Sequence, residues 1–149
     1  FFSTKRTGQA QAEYFINSPR LKYAKPGSTK KSYLVWASLY TQHVYGFQKK
    51  NGKWVCKEYW DCSSGGANSP SPTGNCKIEK RIEWRHHTHY WNCFSTLNAL
   101  HGIKPARYAG YNWVKWLGQL KSNGCIRNNN SDAKWIWTHC GKGTKVLVR

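Results

Sequence analysis

Residues 122–127 read Ser122-Asn123-Gly124-Cys125-Ile126-Arg127, and a His101-Gly102 pair lies 24 positions upstream of the cysteine. A thiol attacks as its thiolate, so a reactive cysteine needs a base or a positive charge beside it. Histidine can be that base, and an arginine two residues on is a fixed positive charge. Cysteine acyl-transfer sites are built from such pairs, separated in sequence and joined by the fold. A glycine before the cysteine leaves room for a substrate carbonyl to approach backbone N–H groups that could hold an oxyanion. Spacing alone leaves two readings of each residue. Cys125 is a nucleophile or a structural thiol; His101 is a base or a satisfied core histidine.

Two other groups could do chemistry. Cys62 sits at a strand end before a Gly/Ser loop and is the rival nucleophile. His86-His87-Thr88-His89 with Cys93 invites a zinc reading. It lacks the paired ligand spacings that zinc sites show. Adjacent histidines on a strand also point to opposite faces. An exposed basic hairpin and no metal are expected there.

A framework must bring these residues together, and the pattern along the chain is that of strands. Residues 32–39 are rich in Tyr, Val and Trp, and residues 42–49 alternate around Val44 and Phe47. Asn51-Gly52 tolerates positive φ at both positions and marks a tight hairpin returning over residues 53–61. Residues 62–75 are a Ser/Gly/Asn/Pro loop. A strand over 76–81 and a long hairpin within 82–100 follow. Trp113, Trp116, Leu117 and Leu120 recur at i, i+3, i+4 and i+7, predicting a helix over residues 111–120. A second helix, capped by Asn130 or Ser131, carries Ala133, Ile136, Trp137 and Cys140 and stops at Gly141. Residues 145–149 form a last strand. The chain is thus mainly β with two short helices. Residues 1–31, with Pro19, Pro26, Gly27 and a short helix near Gln9, read as a linker end or N-terminal strap, and residues 32–149 as the domain.

The chain carries 24 Lys and Arg against 6 Asp and Glu, a formal charge of +18 over 149 residues. That is a statement about partners: nucleic acid, an anionic membrane face or a polyanionic wall. Lys30-Lys31, Lys49-Lys50, Lys142 and Lys145 fall beside turns and strand ends, so the charge is expected to lie away from the Cys125 box. No apolar run approaches the ~18 residues of a membrane span. With no methionine and an opening Phe1-Phe2-Ser3, the chain reads as a piece of a longer precursor. Six cysteines favour an oxidising compartment. If Cys125 is free, the remaining Cys56, Cys62, Cys76, Cys93 and Cys140 leave one more thiol unpaired, and their pairing stays open.

Several phrases, taken in order, carry a resemblance. They are Gln42-His43-Val44-Tyr45, Asn51-Gly52-Lys53-Trp54, Cys62-Ser63-Ser64-Gly65-Gly66 and Ser69-Pro70-Ser71-Pro72-Thr73-Gly74. Then come His101-Gly102, the Cys125 box, Asp132-Ala133-Lys134-Trp135-Ile136 and Gly143-Thr144-Lys145-Val146. The set resembles the L,D-transpeptidase catalytic-domain family, cysteine enzymes that cross-link bacterial peptidoglycan. Asn123 stands where that family often has His, and residues 84–97 match no family phrase.

The resemblance implies a β-sandwich or barrel of mixed sheets and no cofactor or metal. It implies that Cys125 attacks an L-to-D peptide bond of a stem tetrapeptide, expels D-Ala and forms a thioester that a second stem's amine resolves. His101 would take the thiol proton or pair with it as imidazolium, and the Gly102 backbone would orient it. The N–H groups of Gly124 and Cys125 would hold the oxyanion. Arg127 would brace the box or bind a carboxylate, Asn123 would offer a hydrogen bond, Ser122 would support the turn, and Cys62 would be structural. The implied partners are stem peptides and anionic wall polymer rather than nucleic acid, in an extracytoplasmic, wall or secreted setting. An L,D-carboxypeptidase, a secreted antibacterial toxin of the same fold, and a non-catalytic polyanion- or wall-binding module are the alternatives.

Overall fold

The computed structural model describes residues 4–109 and 113–149. Nine strands form one mixed sheet, curled into a half-barrel: β1 (Tyr33–Ser38), β2 (His43–Lys50), β3 (Lys53–Ser63), β4 (Gly74–Lys77), β5 (Lys80–Arg85), β6 (Thr88–Cys93), β7 (Ala99–His101), β8 (Ile126–Asn128) and β9 (Lys145–Val148). Their order is β4-β9-β1-β2-β3-β8-β7-β6-β5. The two edge strands, β4 and β5, are consecutive in the chain and joined only by Ile78 and Glu79. The curl therefore brings the sheet's edges to within one short link. The expected strand over 76–81 is split by that link. Ile78 is fully buried, and its N–H turns to the Thr144 carbonyl.

Both faces of the central strands are covered. On β1 and β9, Val35, Ala37, Val146 and Val148 enter a core shared with Ile136 of helix α3 (Asn130–His139), while Leu34 and Leu147 enter a second core with Ala12 and Ile16 of helix α1 (Thr4–Ile16); between the two helices in the chain lies the four-residue helix α2 (Ala106–Ala109). Alternate residues of a strand face opposite sides, so apolar runs here serve two cores. Gly46 is bare because the Trp135 ring of α3 packs where its Cβ would stand.

A bulge changes the face. Gly46 pairs with Glu58 and Phe47 with Cys56, leaving Lys57 without an opposite residue. An extra residue on one strand reverses its alternation beyond that point. Trp54 and Cys56 therefore lie in the α1 core, whereas Trp60 and Cys62 lie in the α3 core. The far end of β3 carries the sheet on to β8 and β7.

The Asn51-Gly52 turn has φ of 51° and 74°, as the hairpin chemistry requires. His86 and His87 correct their expected strand placement. They are the turn between β5 and β6, with φ of 50° and 62°. The expected helix over 111–120 is also corrected; its residues 111–112 lie outside the described residues. A single 3₁₀ turn spans Trp113–Trp116, Gly118 takes φ 96°, and Leu120 is exposed. The helical spacing there has no core to meet, and a positive φ ends any helix. The short helix near Gln9 extends from Thr4 to Ile16.

Candidate active site

Strands β7 and β8 run parallel, with Leu100 opposite Ile126 and His101 opposite Arg127. By the two-residue period, Cys125, just before β8, lies on the same side as Arg127 and His101. These three, with Ser122 and Asn123, line one cavity of about 280 Å³. Gly102 and Gly124 are not among its lining residues.

His101 is buried, and its Nδ1 lies 2.6 Å from the Gly102 carbonyl oxygen. That carbonyl can only accept, so Nδ1 carries the proton and Nε2 is left as the basic nitrogen. The ring stacks on Trp91, with centroids 4.4 Å apart and planes within 9°. Asn128, buried on β8, donates to the His101 carbonyl at 3.1 Å and accepts from Trp60 Nε1 at 2.7 Å. Burial holds the imidazole pKa down at about 4, opposed by the hydrogen bond to Gly102 and reinforced by Arg127, His86 and Lys104 nearby. His101 is accordingly neutral near pH 7.

The Cys125 thiol is partly buried and reaches the Leu97 carbonyl at 3.9 Å. Burial pushes its pKa up; a backbone hydrogen bond from Ala99 opposes this, the Cys93 thiol adds to it, and Arg127 and Arg85 oppose it. With both groups neutral near pH 7, Cys125 and His101 do not stand as an ion pair.

The loop before Cys125 is tied down from several sides. Ser122 Oγ donates to the Cys125 carbonyl and accepts from the Gly124 N–H at 3.1 Å. The Gly124 N–H, one of the two expected oxyanion donors, is therefore directed at Ser122. Ser122 N–H bonds the Ser64 carbonyl at 3.0 Å, and Gly66 N–H bonds the Ser122 carbonyl at 2.9 Å. Gly124 has φ 126°, and a Cβ there would come within 2.6 Å of Asn98 Oδ1. Arg127 is buried, its guanidinium 3.7 Å from the Trp113 ring centroid.

Cys62 is fully buried on β3, with its thiol pKa pushed up by burial and by Asp61. All six cysteines are free thiols here. No group of three or more metal-ligating side chains occurs among the described residues. Beside Arg127 of the box, Lys104 also lines the cavity, so part of the charge expected at turns and strand ends stands at the site. Sequence reading also passed over Trp91, Asn98, Lys104 and Asn128, and took Trp113 only as part of a helix face. Trp91 lies in the stretch without a family phrase, and Asn128 shows only as the third residue after Cys125.

The L,D-transpeptidase catalytic domain (YkuD) family model matches residues 32–148, and the chain belongs to that family. Comparison with curated protein sequences gave no match. Among solved structures, it is similar to a fused Zn-dependent amidase/peptidase/peptidoglycan-binding domain-containing protein from Clostridium acetobutylicum. That match has a TM-score of 0.71 at 20% identity and covers 97% of this chain and 61% of that one. An L,D-transpeptidase from Stackebrandtia nassauensis matches at 0.62 and 24%, covering 81% and 57%. The catalytic domain of the E. faecium L,D-transpeptidase matches at 0.61 and 23%, covering 78% and 95%. At these identities the likeness is one of fold. The chain spans about three-fifths of the Clostridium and Stackebrandtia structures.

Proposed function

We propose that this chain is the catalytic domain of a cysteine L,D-transpeptidase acting on peptidoglycan stem peptides outside the cytoplasm, with residues 32–149 as the domain and the N-terminal segment as a strap. The observation that carries the reading is the neutral His101, its Nδ1 engaged by Gly102, sharing a cavity with Cys125.

Cys125 Sγ attacks the carbonyl carbon of the L-to-D bond while its proton passes to His101 Nε2. The carbonyl oxygen becomes an oxyanion facing the Cys125 N–H. When the C–N bond breaks, D-Ala leaves with the proton that His101 returns to its amine. An acceptor amine then attacks the thioester, and Cys125 is released as thiolate and reprotonated. Arg127 braces the box against Trp113, Ser122 fixes the turn, and Asn123 is an exposed cavity residue within reach of a substrate amide. The +18 charge concentrates the domain on anionic wall polymer.

Intact mass after incubation with a carbapenem, a class that acylates cysteines of this family, tests the reading. A single adduct mapped to Cys125, absent from Cys125→Ala, is expected. An adduct retained in Cys125→Ala overturns it.

A further inference from the structure

The charged groups around the cavity share one sign. Lys104 and Arg127 line it, and Arg85 stands beside it, its Nε donating at 3.2 Å to Nε2 of His86, itself a lining residue. The Lys104 ammonium lies 5.2 Å over the same Trp113 ring that carries Arg127. None of the six acidic residues lines the cavity. Glu13 is on α1, Glu58 and Asp61 on β3, Glu79 and Glu83 at or in β5, and Asp132 on α3. Both groups feel this field: Arg127 and Lys104 bear on His101, and Arg127 and Arg85 on Cys125.

The walls between the cations are apolar. Trp91, Trp113 and Leu97 line the cavity with them. A cleft of one charge sign with low-dielectric walls focuses its field on what enters. An ammonium is repelled there and a carboxylate is drawn in. Arg85 and His86 lie in the stretch that matched no family phrase, whereas Arg127 belongs to the Cys125 box.

We propose that Lys104 and Arg85, with Arg127 behind them, form a carboxylate subsite that selects peptides bearing a free carboxylate within one residue of the bond Cys125 attacks. The inference rests on the reading of Cys125 as nucleophile. The carboxylate has two sources, the chain terminus of the departing residue or the side chain of the acyl residue.

The test begins with two alkylating agents of similar size, anionic iodoacetate and neutral iodoacetamide. Each is attacked by the thiolate and releases iodide. Rates at Cys125 are read by peptide mapping at fixed pH and low salt, because exposed charges are screened above it. The iodoacetate-to-iodoacetamide ratio is expected to exceed that of a free cysteine peptide. It should fall about three- to tenfold in Lys104→Gln and in Arg85→Gln, as loss of one nearby unit charge implies. Lys104→Arg should restore it. A ratio equal to the free peptide's, or one unmoved by both substitutions, overturns the subsite.

Tetrapeptide stems amidated at the terminal carboxylate or at the acyl residue's side chain form the second arm. The amidation that lowers kcat/KM about tenfold identifies the ligand, and loss with neither overturns the proposal. A charge-dependent ratio together with no turnover of any stem would uphold the subsite and sink only the reading of the reaction.

Discussion

Ser71 Oγ donates to the Gly124 carbonyl at 2.6 Å and accepts from the Gly65 N–H at 2.9 Å, so one buried hydroxyl joins the Pro-rich loop to the peptide unit that ends in the Cys125 N–H. Ser71→Ala leaves a buried carbonyl and a buried N–H without this partner. The expected loss is about 1–3 kcal/mol in urea unfolding. Acylation of Cys125 should slow as well, because the Gly124–Cys125 peptide plane is no longer held. Lost stability with an unchanged acylation rate would make Ser71 scaffold only.

Cys62 and Cys125 should separate cleanly. Cys62 is fully buried, while Cys125 is at the cavity. Cys62→Ala is expected to lower stability by about 1–3 kcal/mol, as small buried truncations do, and to keep the carbapenem adduct. Cys125→Ser should keep the fold and lose the adduct. Circular dichroism melts alongside intact mass give both readouts.

Much of this was readable from residue order, and the gaps have physical causes. The Asn51-Gly52 turn, the strands around it and helix α3 were legible because local chemistry and burial agree there. The bulge at Lys57 was not, since it depends on a partner strand's register and leaves no mark in β3's own composition. The 111–120 helix failed because spacing measures periodicity and not whether a core waits to receive it. His101 and Cys125, which line one cavity, were singled out through their neighbours, Gly102 and Gly124. Asn98, which stands over Gly124, and Trp91, which stacks on His101, were invisible because only the β6–β7–β8 pairing makes them neighbours.

Burial of a neutral His101 carries a cost in acid. Its pKa is about 4 in the fold against an ordinary 6.5. Between those values the unfolded chain binds a proton that the folded chain refuses, so stability falls as pH drops from about 6.5 to 4 and is unaffected by this group above 6.5. The loss is roughly 3 kcal/mol at full extent. Urea midpoints measured from pH 7.5 to 4 should decline more steeply in the wild type than in His101→Gln, which cannot titrate. Parallel declines would place the acid sensitivity elsewhere.

The protonation states also predict two unlike pH profiles for one thiol. Cys125 is raised by burial and His101 is neutral above about pH 4, so little thiolate stands ready at pH 7. Iodoacetamide, which meets only preformed thiolate, should react about tenfold faster per pH unit between 7 and 8.5, without a neutral plateau. Carbapenem acylation should be nearly flat over the same window, because His101 removes the proton as the bond forms. His101→Gln should slow acylation by about 10²–10⁴-fold and give it the slope of the alkylation profile. A plateau in wild-type alkylation below pH 7 would mean a standing thiolate–imidazolium pair, with His101 charged and the general-base step replaced by attack of a preformed ion.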